Sequence, residues 1–329
     1  MKKTFLALLI AYTAFAAQTR EIVDMTGRKV SLPLKIEKVV TAGGTPAVNS
    51  FIFALGKAAS IQNGMPSSMN GKNWKFQSVF APQTATATVV SSSGPDWNVN
   101  PETLRSLPHD VAFVVNKSSA ESLAQKGFCV VALYWNDDKS IKNTMTLLGN
   151  VMGVPQAAAE YNKFYDKTLQ TVAKKVANEK QKPKALYIRY KNLSLPMVST
   201  ATWMVENAGG INVARGLKDH ASISAEQILG WNPDFLFVWD SAEVEAVYKD
   251  PKFKSLSAVK NKKVFAVPTG AHVWTNFTPE QPLAVIWAAE KFYPNKFADM
   301  PLKKIAFDFY LKFFKYRLSD TQLNEILNP

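Results

Sequence analysis

The sequence predicts an α/β protein of two lobes joined by one long helix, and three observations support this fold class. Apolar strand-like segments alternate with helical segments along the 329 residues, which favours parallel sheets. One phrase, an acidic helix start followed by a Pro/Asp corner and an apolar strand, occurs twice. Glu102 stands eight residues before Asp110 in the first copy, and Glu226 stands eight before Asp234 in the second. Between the copies, residues 155–180 have apolar side chains at helical spacing.

The long helix divides the chain into units. We predict an N-terminal α/β lobe over residues 17–138, a helical linker containing the long helix over residues 139–181, and a C-terminal α/β lobe over residues 182–329. At 1.5 Å per residue, roughly 26 helical residues reach about 39 Å, which is the length of a domain. The predicted strands are DVAFVV, CVVAL, KALYIRY, FLFVW and KVFAV.

The first residues, MKKTFLALLIAYTAFAAQ, have the features of a secretory signal peptide. Two lysines come first, an apolar core follows, and Ala-Phe-Ala at residues 14–16 forms an A-x-A cleavage site. The alternative is a membrane anchor, but Tyr12 and Thr13 interrupt the apolar run well before the ~20 residues that a span needs. The site has no cysteine for lipid attachment. We therefore predict residues 1–16 as a cleaved signal peptide and the periplasm as the location.

Composition excludes several classes of function. The net charge of +13 comes largely from dispersed lysines, and with only six arginines the chain is not expected to bind nucleic acid. The single cysteine, Cys129, lies in an apolar strand and allows no internal disulfide. The G-x-S-x-G, H-E-x-x-H and phosphate-loop motifs are all missing, so we expect a protein that is not an enzyme. An exported α/β hydrolase is a further alternative.

Five segments, taken in order, resemble the periplasmic binding proteins that deliver ferric siderophores, haem, cobalamin and related metal complexes to ABC importers. They are IVDMTGRKVSLPLKIEKVV, LLGNVMGVPQAAAEY, VENAGGINVA followed by SISAEQILGWNPDFLFV, AVKNKKVFAVP, and WAAEKFYPNKF. The most similar branch is that of the CeuE-type proteins for siderophores or nickel complexes. The resemblance implies class III architecture: two Rossmann-like lobes, one long backbone helix, and a ligand held between the lobes of a monomer.

The resemblance also implies a partner for the repeated phrase. One glutamate on each lobe of such proteins docks on the permease dimer in the inner membrane, and the matching residues are Glu102 and Glu226. Considered alone, a glutamate in the first turn of a helix needs no partner, because the helix dipole already stabilises it. The two roles are compatible.

Two histidines are the candidate metal ligands. In the family's pattern, an arginine follows the late strand and an iron-binding tyrosine follows AVP; here Ser241 and His272 stand in these places. His220 precedes the Glu226 helix. Imidazole nitrogen suits nickel, copper, zinc and cobalt better than iron(III). We therefore predict that His220 and His272 bind a nickel chelate, with affinity falling below about pH 6 because the free imidazole has a pKa of about 6.5.

Ligands of open α/β sheets lie at the carboxyl ends of the strands, where cationic and aromatic side chains cluster in this sequence. The remaining residues predicted at the cleft are Trp97, Lys117, Trp135, Arg189, Tyr190, Trp203, Trp239, Ser241 and Trp274. The alternative to a nickel chelate is a ferric siderophore held by Lys117, Arg189 and the tryptophans, or haem or cobalamin. No permanent cofactor is expected; the metal chelate, of nickel or iron, is cargo.

Overall fold

The computed structural model describes residues 18–69, 71–92 and 98–329, so the predicted signal peptide and Trp97 lie outside the described residues. The strands are β1 (Thr19–Val23), β2 (Lys29–Pro33), β3 (Val39–Thr41), β4 (Val111–Val114), β5 (Val130–Ala132), β6 (Lys184–Tyr187), β7 (Ile211–Asn212), β8 (Phe235–Val238) and β9 (Val264–Ala266). The helices are α1 (Thr45–Ala54), α2 (Lys75–Phe80), α3 (Pro101–Ser106), α4 (Lys117–Gln125), α5 (Asp138–Val151), α6 (Pro155–Val176), α7 (Val198–Asn207), α8 (Ala225–Trp231), α9 (Ser241–Lys249), α10 (Ser257–Lys260), α11 (Gln281–Phe292), α12 (Leu302–Phe309) and α13 (Asp320–Leu327).

Each lobe contains a parallel sheet, as the alternating pattern predicts. The N-terminal sheet has the order β3-β4-β5 and the C-terminal sheet the order β7-β6-β8-β9, while β1 and β2 form a separate antiparallel hairpin. Strands β4 and β8 are buried at every residue. Helices cover both faces of such sheets, which explains why these strands are continuous apolar runs and were recognisable in the sequence. The predicted α/β class with two lobes is confirmed.

Helix α6 is the predicted long helix and has 22 residues, ending four residues before the expected Lys180. Pro155 begins it, at a position where a missing N–H costs nothing. Its buried face includes Tyr161 and Tyr165. The Tyr161 hydroxyl donates to the Pro279 carbonyl at 3.0 Å and the Tyr165 hydroxyl to Gln281 Oε1 at 2.8 Å, so α6 is fixed to the start of α11.

A second connection between the lobes comes from residues 302–314, which we call the return segment. It contains α12 and a π-helical turn at Tyr310–Phe314. Its rings pack on the N-terminal lobe: Phe314 lies 5.8 Å from Phe53 of α1, and Tyr310 stacks on Phe80 of α2 at 5.3 Å. The largest hydrophobic core is therefore continuous between the two lobes.

Within the described residues, none of the helices is both long enough and apolar enough to cross a membrane.

Candidate functional site

A cavity of about 220 Å³ lies where the carboxyl ends of strands from both lobes meet. We call it the interlobe cavity. The N-terminal lobe contributes the first turn of α1 and the loop after β5, and the C-terminal lobe contributes the start of α7 and the loops before α8 and after β9. Its lining residues are Ala47, Trp135, Asn136, Met197, Ser199, Asp219, Asn276, Phe277 and Thr278.

The first turn of α1 brings a positive helix end to the cavity. Two glycines with positive φ, Gly43 at 95° and Gly44 at 60°, turn the chain from β3 into the helix. Val115 Cγ1 lies 2.9 Å from where a Cβ on Gly44 would stand, and together with the positive φ this favours glycine at the position. Gly44 caps α1 without a side chain, which leaves the helix dipole uncompensated beside Ala47.

The start of α7 is organised by Asp219. Met197 provides no side-chain cap. Instead, the Ser199 backbone N–H donates to Asp219 Oδ1 at 3.1 Å, and the Ser199 hydroxyl donates to Oδ2 at 3.2 Å. Asp219 is thus a fixed carboxylate on the cavity wall, at the positive end of a ten-residue helix.

Thr278 contributes a polar group that lacks a partner. Its side chain is 1% exposed, and within the described residues its hydroxyl makes no hydrogen bond. A buried hydroxyl without a partner costs about 1–3 kcal/mol. Because Thr278 lines the interlobe cavity, a rotation of its side chain would bring this hydroxyl to a bound ligand, which could supply the missing acceptor.

His272 is buried behind the cavity wall. Its ring packs edge-on against Trp74 of the N-terminal lobe, with 5.0 Å between centroids, and Asn276 Nδ2 lies 3.2 Å from Nδ1 and 3.4 Å from Nε2. Asn276 lines the interlobe cavity, whereas His272 does not. Burial lowers the pKa of His272 to about 4, so the ring is neutral at physiological pH.

A buried carboxylate holds the loop that contains His272. Glu280 accepts the backbone N–H groups of Ala271 and His272 at 2.8 and 2.9 Å, and the Tyr310 hydroxyl of the return segment at 2.5 Å. Burial raises the pKa of Glu280 to about 7, although these donors act in the opposite direction. Gln77 Nε2 of the N-terminal lobe donates to the Ala271 carbonyl at 2.6 Å, so the loop bridges the lobes.

A second hollow of about 500 Å³ is rich in cations, and we call it the arginine hollow. Arg189 lies over the Trp239 indole, with Cζ 3.2 Å from the ring centroid. Glu243, the acidic residue of the hollow, already accepts the backbone N–H groups of Tyr190, Lys191 and Trp239. The lining residues are Arg189, Lys191, Asn192, Ser194, Pro196, His220 and Glu243.

The arginine hollow and the interlobe cavity share an edge. Pro196 and His220, which line the arginine hollow, are the chain neighbours of Met197 and Asp219, which line the interlobe cavity.

The two predicted histidine ligands have different surroundings. His220 is exposed, has a left-handed backbone with φ of 62°, and lines the arginine hollow, while His272 is buried behind Asn276. In the described part of the chain, three or more His, Cys, Asp or Glu side chains nowhere form a group that could hold a metal ion.

The predicted tryptophans have different environments. Trp135 lines the interlobe cavity, and Trp203 lies behind Phe277 of its wall at 6.5 Å. Trp239 supports Arg189. Trp274, however, is fully buried, and its indole N–H donates to the Tyr310 hydroxyl at 3.3 Å. Trp274 is therefore a core residue that fixes the return segment, which corrects the expectation that it lines the cleft.

Three other predicted cleft residues have alternative partners. Lys117 is exposed at the start of α4, with Nζ 3.7 Å from Glu121 Oε1. The Tyr190 hydroxyl donates to Asp250 Oδ2 at 2.8 Å, and the Ser241 backbone N–H donates to the Pro329 carbonyl at 2.6 Å. None of these three residues is among those that line the interlobe cavity or the arginine hollow.

Glu102 and Glu226 are in equivalent positions. Each is the exposed second residue of a short helix, α3 or α8, whose first turn is capped by Asn100 or Ser224. Its own backbone N–H and the Ser224 hydroxyl lower the pKa of Glu226, so this carboxyl is ionised at neutral pH.

Sequence reasoning missed all five small polar residues that line the interlobe cavity, namely Asn136, Ser199, Asp219, Asn276 and Thr278. A usable indication was present at two of them: Asp219 directly precedes His220, and Asn276 lies four residues after His272. Single Ser, Thr or Asn residues in loops have no periodicity that would distinguish them.

Two parallel α/β lobes, a connecting helix and a cavity at the strand ends define the fold of the class III periplasmic binding proteins. A family model described as "Periplasmic binding protein" matches residues 73–270, and the chain belongs to this family. Its members are substrate-binding components of ABC transporters, and they are not enzymes.

Three known proteins illustrate the similarity. The chain is 27% identical to the molybdate-binding protein MolA of Haemophilus influenzae, covering 96% of this chain and 97% of MolA. A periplasmic solute-binding protein of Veillonella parvula has a similar structure, with a TM-score of 0.84, 24% identity, and coverage of 94% and 97% of the two chains. CeuE of Helicobacter pylori, solved as a nickel–histidine complex, has a TM-score of 0.72, 18% identity and coverage of 95% and 100%.

Proposed function

We propose that this protein captures a small metal-containing ligand in the periplasm for an ABC importer, and that the ligand is a metal oxyanion of the molybdate type. The observation that carries the proposal is the interlobe cavity, with its small volume and its unpartnered Thr278 hydroxyl. In this proposal residues 1–16 direct export and are removed.

Size favours a small ligand. The interlobe cavity has about 220 Å³, whereas pockets for drug-sized ligands have roughly 300–1,000 Å³. A tetrahedral oxyanion fits such a volume, and a haem or an intact siderophore exceeds it. A larger chelate would have to extend into the arginine hollow.

The donors at this cavity suit an oxyanion. The Asn136 and Asn276 amides, the Thr278 hydroxyl and the positive end of α1 are neutral or partial charges. Backbone dipoles at helix N-termini and neutral hydrogen-bond donors bind oxyanions. The similarity to MolA over nearly the whole chain supports the same ligand class.

Calorimetry with molybdate and tungstate tests the proposal. We expect saturable binding by the wild type, and about 10- to 100-fold weaker binding by Thr278→Val, because a hydrogen bond to a charged group contributes roughly 1.5–3 kcal/mol. Thr168→Val is the matched control, since this buried threonine of α6 does not line the cavity. Absence of binding at millimolar molybdate and tungstate would contradict the proposal.

A nickel chelate is the second candidate, and His272 is the observation that favours it. Its imidazole is neutral above about pH 4, which is the ligating form, and it contacts Asn276 of the cavity wall. Metal coordination by His272 requires Asn276 to move away from the ring nitrogens. His220 would join the metal only if the chelate extended across the shared edge of the two cavities.

A ferric siderophore is the third candidate ligand, and it too would extend from the interlobe cavity into the arginine hollow. Arg189 would contact the anionic chelate as predicted, and Lys191 would take the place of Lys117 as the second cation. Calorimetry with a ferric catecholate in place of molybdate distinguishes this ligand. In every version, we propose that Glu102 and Glu226 dock the loaded monomer on the permease dimer.

A further inference from the structure

Asp219 is an unusual residue for an oxyanion cavity. It is the acidic residue of the interlobe cavity, whose lining within the described residues includes no lysine, arginine or histidine. A carboxylate accepts hydrogen bonds and donates none when ionised, and so does a fully ionised oxyanion. The two would therefore repel each other at short range unless a proton lies between them.

The Asp219 carboxylate is held by Ser199 at the cavity wall, where it could share such a proton with a bound ligand. Ser199 fixes both oxygens, through its N–H to Oδ1 and its hydroxyl to Oδ2. An ionised carboxylate has about four acceptor positions, and Ser199 uses two of them. Asp219 is exposed in the open cleft, so its remaining acceptor positions are available to a ligand.

The rest of the wall requires acceptors from the same ligand. The Thr278 hydroxyl is buried without a partner, and Asn136 and Asn276 add amide donors. A ligand that satisfies the whole cavity must therefore accept hydrogen bonds on one side and share a proton with Asp219 on the other. Basic oxyanions such as molybdate, tungstate or phosphate can do both. Sulfate is a much weaker base and holds a shared proton poorly.

We propose that Asp219 is the specificity-determining residue of the interlobe cavity, which selects basic oxyanions over sulfate by sharing one proton with the bound ligand. For molybdate or tungstate the proton comes from the buffer, so the bound state contains one proton more than the separated protein and ligand, whereas hydrogen phosphate brings the shared proton with it. This inference rests on the proposed oxyanion function and adds to it the reason for discrimination.

The test is calorimetry with molybdate, tungstate, phosphate and sulfate in buffers of different ionisation enthalpy. For the wild type we expect uptake of about one proton per bound molybdate, and at least 100-fold weaker binding of sulfate. In Asp219→Asn, proton uptake should disappear and the preference for molybdate over sulfate should fall at least 10-fold. Asp240→Asn is the matched control, because Asp240 caps α9 and lies outside the cavity lining.

The outcomes separate the two proposals. If the wild type binds molybdate without proton uptake, or if Asp219→Asn keeps the wild-type preference, the role of Asp219 is overturned while oxyanion binding stands. If the wild type binds none of the four anions, the proposed function fails and this inference fails with it. Circular dichroism melting verifies that Asp219→Asn is folded, and Asp219→Ser provides an independent second variant. Preference for phosphate over molybdate would support the proton-sharing role and identify phosphate as the ligand.

Discussion

Burial changes the chemistry that His272 can perform. A free imidazole titrates near pH 6.5, and the sequence alone therefore predicts that a histidine-bound metal is lost below about pH 6. Enclosed by Trp74, Asn276 and its own loop, His272 has a pKa of about 4 and stays neutral well below pH 6. Protons would compete with a metal at this ring only near pH 4.

This difference gives a prediction for the nickel candidate. If His272 binds nickel–histidine, protonation of this ring should not weaken calorimetric affinity between pH 7.5 and 5, so the pH dependence should be that of the free histidine chelator alone. His272→Gln should lower the affinity at least 10-fold, as expected for loss of a direct metal ligand. His109→Gln is the matched control, since its Nδ1 lies 2.8 Å from the Leu107 carbonyl, away from both cavities. Unchanged affinity in His272→Gln would exclude this ring as a ligand.

The residues that were predictable from the sequence belong to buried runs, whereas those that were missed are single residues whose environment depends on the tertiary structure. Strand residues such as Phe235 and Phe237 belong to runs buried on both faces, and burial of a whole run is visible in the sequence. Asp219 and Thr278 are single polar residues whose surroundings are formed by distant segments. Trp274 is of a residue type common in both clefts and cores, and only the packing against Tyr310 assigns it to the core.

At the scale of elements, the loop between β9 and α11 contains two buried groups with opposite titration behaviour. His272 has a folded pKa of about 4, below its ordinary 6.5, so its contribution to stability is lost as the pH falls through this interval. Glu280 has a folded pKa of about 7, above its ordinary 4.5, so its contribution is lost as the pH rises through that interval. Between about pH 4.5 and 6.5 the two effects oppose each other.

We therefore predict that each single variant shows a pH dependence of the free energy of unfolding that is cancelled in the wild type. From pH 4.5 to 6.5, Glu280→Gln should gain stability with rising pH and His272→Gln should lose it, each by about 3 kcal/mol relative to wild type, since one pKa unit corresponds to about 1.4 kcal/mol. Urea unfolding at several pH values measures this difference. Parallel pH profiles for the wild type and both variants would show that the two groups do not titrate in this way.

The return segment shows what element-level prediction from the sequence could not include. Helix α6 was recognisable because one face repeats apolar residues at helical spacing over 22 residues. The apolar face of α12 is equally clear, but periodicity does not specify which lobe it covers. The contacts of Phe314 with Phe53 and of Tyr310 with Phe80 depend on tertiary packing between segments more than 200 residues apart in the sequence.

At the scale of the whole molecule, the two lobes are joined twice, by α6 and by the return segment. The loop bridge from Gln77 to Ala271 adds a polar link. Such connections restrict relative motion of the lobes, so α3 and α8 should keep a nearly constant separation with and without ligand. In the docking proposed above, a symmetric permease dimer would require a fixed separation, because both glutamates would have to engage it together.

We therefore predict that Glu102→Ala combined with Glu226→Ala leaves ligand affinity within twofold of wild type and abolishes uptake into cells or proteoliposomes containing the permease. Neither residue lines the interlobe cavity or the arginine hollow, and both are exposed, so folding and binding should be preserved. The control is Glu121→Ala combined with Glu245→Ala, which removes two exposed glutamates from the neighbouring helices α4 and α9 with the same change in net charge. Each single variant should reduce uptake less than the double variant, because one lobe can still engage its pocket. Full uptake by the double variant would exclude these glutamates as the docking contacts, and weakened ligand binding would instead place them in the binding site.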